Sequence, residues 1–429
     1  MAQRGRERRD PLGLVRHHQL VVGHPGDHQH PHGDVDPVVQ PLGHERDVER
    51  LVRLDLLVDE QHVGHELERL HQLVDLVEHR GRLLERHRPA GDLVGVVSAM
   101  PIITGAGGGA SAAHLEWQVW NLEARLVVTD AARLDEAARI AREVLAEVDA
   151  ACSRFRADSE LTARSAEFAV GAPASPMLTR LVRAALDAAE WTHGDVDPSL
   201  GDQLGALGYD RDIAEVRARS EHLADRISIA PLAPRRSTWR DIRLDGDRLT
   251  VPEGVLIDLG ATAKAVAADR VAERVQAELD TGVLVGLGGD LATAGPRDEA
   301  WQVVVQDRAG EPGQQISLEP GWAVATSSTL HRRWRAGGKW MHHVLDPRSG
   351  LPAPETWRTV TVAAPSCLRA NALSTAAIVR GHAATRMLAD AGVAARLVDA
   401  RFGIHRVGGW PEADAERTLD HAKEPAHAR

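Results

Sequence analysis

Along this chain the spacing of apolar residues changes repeatedly, and each change marks an element. Over residues 115–128 apolar and polar positions alternate loosely, which predicts strand. From about residue 131 to 151 the period turns helical. Leu134, Ala137, Ile140, Ala141, Val144, Leu145 and Val148 share one face, and Thr129 or Asp130 can cap the start. Residues 177–191 repeat the helical pattern after a proline break at 173–176. Residues 210–229 read as helix then strand, 231–234 as a linker, and 239–244 with 248–251 as a hairpin across Asp245-Gly246.

The pattern is richest over residues 254–295. Val255, Leu256 and Ile257 predict a short strand ending at Asp258, and Leu259-Gly260-Ala261 make a tight turn. Ala263, Val266, Ala267, Ala268, Val271, Val275 and Leu279 then recur at helical spacing, with Gly282 as the stop. A second strand, 283–287, runs into Gly288-Gly289-Asp290 and a further strand towards Gly295. The whole reads as one α/β unit with an acid beside each glycine turn. Beyond it, 301–306, 315–318, 322–325 and 360–363 read as strands and 367–379 as helix, while 388–397 and 403–409 complete the sheet.

Composition separates the first hundred residues from the rest. Residues 1–99 contain no Phe, Tyr, Trp, Ile, Thr, Asn or Lys, yet hold 12 of the 22 histidines. Without aromatics or isoleucine such a segment cannot easily close-pack a core of its own. It is expected to be a disordered extension or the translation of a wrong frame, with the protein starting near Met100, then a domain over 100–410 and a polar tail over 411–429. Peptides from residues 1–90 in the native protein would refute the wrong-frame reading. The His-rich run 17–32 is an adventitious metal binder at most.

Charge and cysteine usage narrow the function classes. The formal charge of −11 argues against nucleic acid as a main partner, and the ten tryptophans lack basic interleaving. Cys152 and Cys367 form neither a disulfide framework nor a zinc pattern. No apolar run is long enough to span a membrane, and no signal peptide or lipid-anchor cysteine is recognisable, so the expected compartment is the cytoplasm.

Candidate chemistry gathers around the glycine turns. The helix start after Gly260 offers backbone N–H groups to a phosphate, although GxGxxG spacing is absent. Lys264 is one of only three lysines, and it sits on an alanine-lined helix start. Its two readings are a structural pair with Asp258 or a ligand contact to a phosphate or oxygen. Arg154 and Arg156 flank Phe155 and either hold an acidic group or face water. Of His342 and His343, only one can face a cleft if the segment is a strand. Asn371 and Thr375, four residues apart, share a helix face, and their oxygens can converge on one cation.

Seven motifs appear in one order: SRFRADSEL (153–161), GDVDPSLG (194–201), LIDLGATAKAVAADR (256–270), GLGGDLATAG (286–295), ATSS (325–328), HVLDPRSG (343–350) and RANALSTA (369–376). In this order they resemble the ApbE family of FAD:protein FMN transferases, over nearly all of residues 115–409. The resemblance implies an α+β fold with strand-turn-helix units around a central sheet, similar to the T-fold. It also implies magnesium-dependent transfer of FMN from FAD, through a phosphoester, to a Thr or Ser hydroxyl of an acceptor protein, with AMP released. A redox protein is one expected acceptor.

The family's metal positions fall on the Ala261 carbonyl, Asn371 and Thr375, and Asn371 stands where the family has an aspartate. His343 is the implied base or orienting residue, with Asp346 as its partner. Asp258, Gly260, Lys264, Gly288, Gly289, Asp290 and Ser327 would line the FAD site, and Arg154 and Ser159 would close it. The chain also has Lys264-Ala265 for the usual Lys-Gly, Ser327-Ser328 for Ser-Gly and Val196 for phenylalanine. These departures leave open a magnesium-dependent FAD pyrophosphatase giving FMN and AMP, or a flavin binder without turnover.

Overall fold

The computed structural model describes residues 112–223, 237–308, 310–412 and 417–418. The expectations for residues 1–99, for the strand within 210–229 and for the linker at 231–234 lie outside the described residues.

Eight strands form an antiparallel meander in chain order: β1 (Ala113–Val119), β2 (Leu122–Val128), β3 (Val283–Leu287), β4 (Asp290–Ala294), β5 (Ala323–Ser328), β6 (Trp357–Ala364), β7 (Ala394–Asp399) and β8 (Ile404–Val407). The alternating stretch at 115–128 is therefore two strands. They are joined at Trp120-Asn121, which take positive φ of 49° and 55°. A bulky tryptophan is an uncommon occupant of that conformation, which is why the turn is hard to read from sequence.

Between β2 and β3 the chain leaves the sheet for helices α1 (Leu134–Cys152), α2 (Pro176–Trp191) and α3 (Ala263–Leu279). It returns where the Thr129 N–H donates to the Gly282 carbonyl (2.9 Å). Helix α4 (Cys367–Arg380) lies between β6 and β7, followed by a short helix, Ala384–Asp390. That helix occupies the first part of the 388–397 segment expected to be strand.

Strand alternation sorts the two faces of the sheet. Leu126, Val285, Leu287, Ala325, Val362 and Leu397 point to the helical side, where Ile140, Val144, Val271 and Ile378 complete the main core. Val127, Leu284, Leu291, Val324 and Ala363 point the other way. They meet Trp301, Val303 and Val305 of strand Trp301–Gln306 and Ile316 and Leu318 of strand Pro312–Leu318. Both faces are thus covered, and the fold is α+β. Among the described residues no helix is long and apolar enough to cross a membrane.

The strand expected at 255–257 is not one. Its backbone bonds go instead to the preceding loop: Gly201 N–H donates to Leu256 O (3.0 Å), Asp258 N–H to Pro198 O (2.8 Å), and Leu256 N–H to Asp202 Oδ2 (3.0 Å). Short apolar runs are ambiguous, and here a loop rather than a sheet edge supplied the partners. The remaining α/β-unit reading is corrected with it, because α3 feeds an antiparallel sheet.

Candidate active site

A cleft of about 450 Å³ opens at one end of the sheet. Its walls are the loop after α1, the turn before α3, the β3–β4 turn, the end of β5, the segment around His343 and one face of α4. Arg154, Asp258, Gly260, Ala261, Lys264, Gly288, Gly289, Ser327, His343, Asn371 and Thr375 all line it. Gly288 takes φ +61°, and a side chain on Gly289 would meet the Thr326 carbonyl at 2.7 Å. The turn can therefore approach a ligand only with its backbone exposed.

Three expected residues stand elsewhere. Ser159 is fully buried; its hydroxyl donates to Ser153 O (2.6 Å) and accepts from Thr162 N–H (3.3 Å), bracing the loop that carries Arg154. Asp346 lies beyond the lining, where its Oδ1 accepts from the backbone and side chain of Arg348 (3.0 and 2.8 Å). Asp290 is buried behind the cleft wall.

Asp290 nonetheless organises that wall. Lys264 Nζ donates to its Oδ2 (2.6 Å) and Asn371 Nδ2 to its Oδ1 (2.7 Å). The structural pair weighed for Lys264 and Asp258 is therefore not formed. Asp258 pairs instead with Arg154 Nε (2.5 Å), and its Oδ1 accepts from Gly260 N–H (2.7 Å). Arg154 also donates to Tyr209 O (2.8 Å), with its guanidinium 4.2 Å from the Phe155 ring centroid and 4.8 Å from that of Tyr209. Arg156, also on the cleft lining, pairs with Asp149 and Asp158.

Among the described residues, three polar atoms of cleft residues are buried with no hydrogen-bond partner: Arg154 Nη2, His343 Nδ1 and Asn371 Oδ1. Asn371 is oriented by Asp290, because the amide N–H faces the carboxylate and sends the carbonyl oxygen away from it. Thr375 Oγ1 and Ser374 Oγ each lie 2.8 Å from Ser327 Oγ, tying α4 to the end of β5. Burial, then the nearby Arg332 guanidinium, holds His343 well below 6.5, so the ring is neutral at pH 7. Its neighbour His342 is buried on the other side, 3.0 Å from Ala353 O. Burial, followed by the Asp258 charge, pushes the Cys152 thiol up to about 12, which leaves it an inert wall residue.

Sequence reading missed Asp269, which sits on α3 five residues after Lys264. Its Oδ1 accepts from Cys367 N–H (2.8 Å) and its Oδ2 from Leu368 N–H (3.0 Å), capping the start of α4. Ser366 Oγ takes the next N–H, from Arg369 (3.2 Å). The two helices that carry Lys264 and the Asn371–Thr375 face are thereby locked together. The available signal was a single acid on an otherwise alanine- and valine-rich helix face. Tyr209 and Arg332 were also missed, since neither belongs to a recognisable spacing.

The magnesium expectation can be set against these donors. Asn371 Oδ1 is an orphaned buried oxygen, and the Thr375 hydroxyl and Ala261 carbonyl are hard donors on the same lining. They fit a hard cation, but all three are neutral. Among the described residues no cluster of three or more His, Cys, Asp or Glu could hold a metal. The negative charge that magnesium requires would have to come from a bound ligand.

The ApbE family profile matches residues 118–397. An FAD:protein FMN transferase of Treponema pallidum is 29% identical over 301 residues, covering 59% of this chain and 80% of that protein. One from Vibrio cholerae is 26% identical over 260 residues, covering 58% and 74%. Among solved structures, the ApbE protein of Thermotoga maritima matches with a TM-score of 0.59 at 25% identity, over 69% of this chain and 97% of that one. The apo flavinyl transferase ApbE of Pseudomonas stutzeri shares the fold, with a TM-score of 0.57 at 24% identity over 69% and 95%. By the length and order of that match, the chain belongs to the ApbE family.

Proposed function

We propose that the cleft binds FAD and transfers its FMN half to a Ser or Thr hydroxyl of an acceptor protein, releasing AMP. The observation that carries this reading is the trio of buried, unpartnered polar atoms on Arg154, His343 and Asn371. A buried donor or acceptor without a partner costs roughly 1–3 kcal/mol, a cost that a ligand reaching these three atoms would relieve. A diphosphate ester does so: Arg154 Nη2 donates to a phosphoryl oxygen, and backbone N–H groups near Gly260 and Gly288-Gly289 offer further donors. The names of the relatives supply the substrate class.

In the reaction, the acceptor hydroxyl oxygen attacks the FMN phosphorus and its proton passes to His343. The P–O bond to the AMP phosphate breaks, and AMP leaves with the electron pair of that bond. His343 is a weak base in the free protein because burial depresses its pKa; a diphosphate entering beside it raises its basicity. Ala261 O, Asn371 Oδ1 and Thr375 Oγ1 would hold magnesium, which would supply charge neutralisation on the diphosphate. Lys264 holds Asp290, and through it Asn371, in place. Asp346 orients the segment after His343 through its turn with Arg348.

The test incubates the chain with FAD, magnesium and a Ser/Thr-containing acceptor peptide, reading intact mass and nucleotides together. A gain of the FMN mass with matching AMP supports the transferase. Free FMN and AMP with unmodified peptide would replace it with FAD hydrolysis, and FAD binding with no AMP would leave a flavin binder.

A further inference from the structure

One surface beside the cleft takes no part in the reaction described above. Strands Arg333–Ala336 and Lys339–His342 form a hairpin whose tip glycines, Gly337 and Gly338, take φ of 56° and 72°. Its two ends run into Arg332 and His343, both of which line the cleft. Trp334, Ala336 and Met341 bury its inner side against Leu207, Tyr209 and Val216, and Trp334 Nε1 donates to Leu207 O (2.7 Å). The hairpin is therefore anchored, and its outer side is displayed in a fixed pose.

Arg333 and Arg335 share the outer face with Trp340, while Lys339 stands opposite Ala336 at the exposed tip and Arg332 lines the cleft; residues 331–345 contain no acid, in a chain whose formal charge is −11. Arg333 pairs with Glu355 (2.6 Å), whereas Arg332, Arg335 and Lys339 have no acidic partner among the described residues. Trp340 is 59% exposed between two guanidinium groups, with Arg333 and Arg335 at 5.5 and 5.7 Å from its ring centroid. A rigid exposed aromatic flanked by cations is the composition of an interface anchor, and its conformational cost on binding is small.

We propose that this hairpin docks an acidic segment of the acceptor protein and so presents the neighbouring hydroxyl to the cleft. The inference rests on the transferase reading. Trp340 is three residues from His343, so the docked segment would lie roughly 10 Å from the cleft wall at ~3.3 Å per residue. That distance is short enough for one continuous peptide to touch both. Charge complementarity favours a polypeptide with several Asp or Glu around an apolar side chain. A nucleic acid would satisfy the same cations, but the acceptor in this reaction is a protein, and the DNA control below separates the two.

The probes are two short fluorescent peptides sharing one central Thr, flanked by Glu in the first and by Lys in the second, with a short single-stranded DNA as control. Anisotropy at low ionic strength, without FAD, reads docking alone. The Glu peptide is expected to bind at least roughly tenfold more tightly than the Lys peptide, and Arg335→Glu with Lys339→Glu should abolish that preference. Trp340→Ala should weaken binding while leaving the salt dependence in place. In the coupled assay the double variant should raise KM for the Glu peptide about tenfold at unchanged kcat and FAD affinity. Equal binding of both peptides, an unaltered preference in the double variant, or tighter binding of the DNA would overturn the proposal. Docking of the Glu peptide without FMN transfer would uphold the surface and refute the transferase reading instead.

Discussion

Asp269 offers a prediction whose magnitude follows from the structure. Its carboxylate is turned away from bulk water towards the start of α4, and burial lifts its pKa from the ordinary 3.8 to about 6, against the lowering effect of the Leu368 and Cys367 N–H groups. The folded state therefore binds this proton more tightly than the unfolded chain does. Between pH 3.8 and 6 the native form carries more protons, so stability from this group is gained as pH falls and lost as it rises through 6. The sign is opposite to that of a salt-bridged aspartate. With those two values, the gain between about pH 7.5 and about pH 5 is about 1.4 kcal/mol.

Asp269→Asn keeps the shape and one acceptor oxygen but cannot titrate. Urea denaturation of the native chain and of the variant at both pH values yields a difference of differences in which the other titrating groups cancel. The native chain should gain about 1.4 kcal/mol more than the variant on acidification. Equal changes, or a larger gain in the variant, would show that burial does not dominate the environment of this carboxylate. Since Asp269 joins α3 to α4, the variant should also weaken FAD binding modestly without abolishing it.

Two further outcomes concern the cleft wall. Asn371→Asp turns the Asn371–Asp290 hydrogen bond into a contact between two carboxylates that share the single Lys264. Without metal it should cost roughly 1–3 kcal/mol. Magnesium should restore the loss, visible as a Tm increase and as tighter calorimetric binding than in the native chain; unchanged Tm and affinity would remove Asn371 from the metal site. His343→Ala should lower kcat by roughly 10²–10⁴-fold with FAD affinity nearly intact. Because burial keeps its ring neutral, kcat/KM in the native chain should be flat above pH 7 and fall only in acid; an inflection at or above 6.5 would contradict that neutrality.

Much of the architecture was legible because local periodicity reports burial directly. The faces of α1 and α2 were readable because each buries one side against a continuous core, and the strands at 283–287 and 301–306 because their short apolar runs are buried almost throughout. The β1–β2 turn was not, because Trp120-Asn121 carries no turn signature. Residues 255–257 failed for a different reason: three apolar residues meet the strand pattern whether their backbone partners are a sheet or a loop.

The candidate site divides along the same line. Residue types and motif order were enough to bring Lys264, the glycine turns, His343, Asn371 and Thr375 into consideration, because each belongs to a short local spacing. Which of them meet was decided only by tertiary packing. Lys264 passes over the nearby Asp258 for Asp290, and Asp290 also receives Asn371, 81 residues further along the chain. Arg154 takes Asp258, while Ser159, in the same motif, turns into the core. Local periodicity determines which face of an element is apolar, but not which elements become neighbours. Long-range antiparallel pairing of β3, β4 and β5 determines that, and with it which charges share one wall.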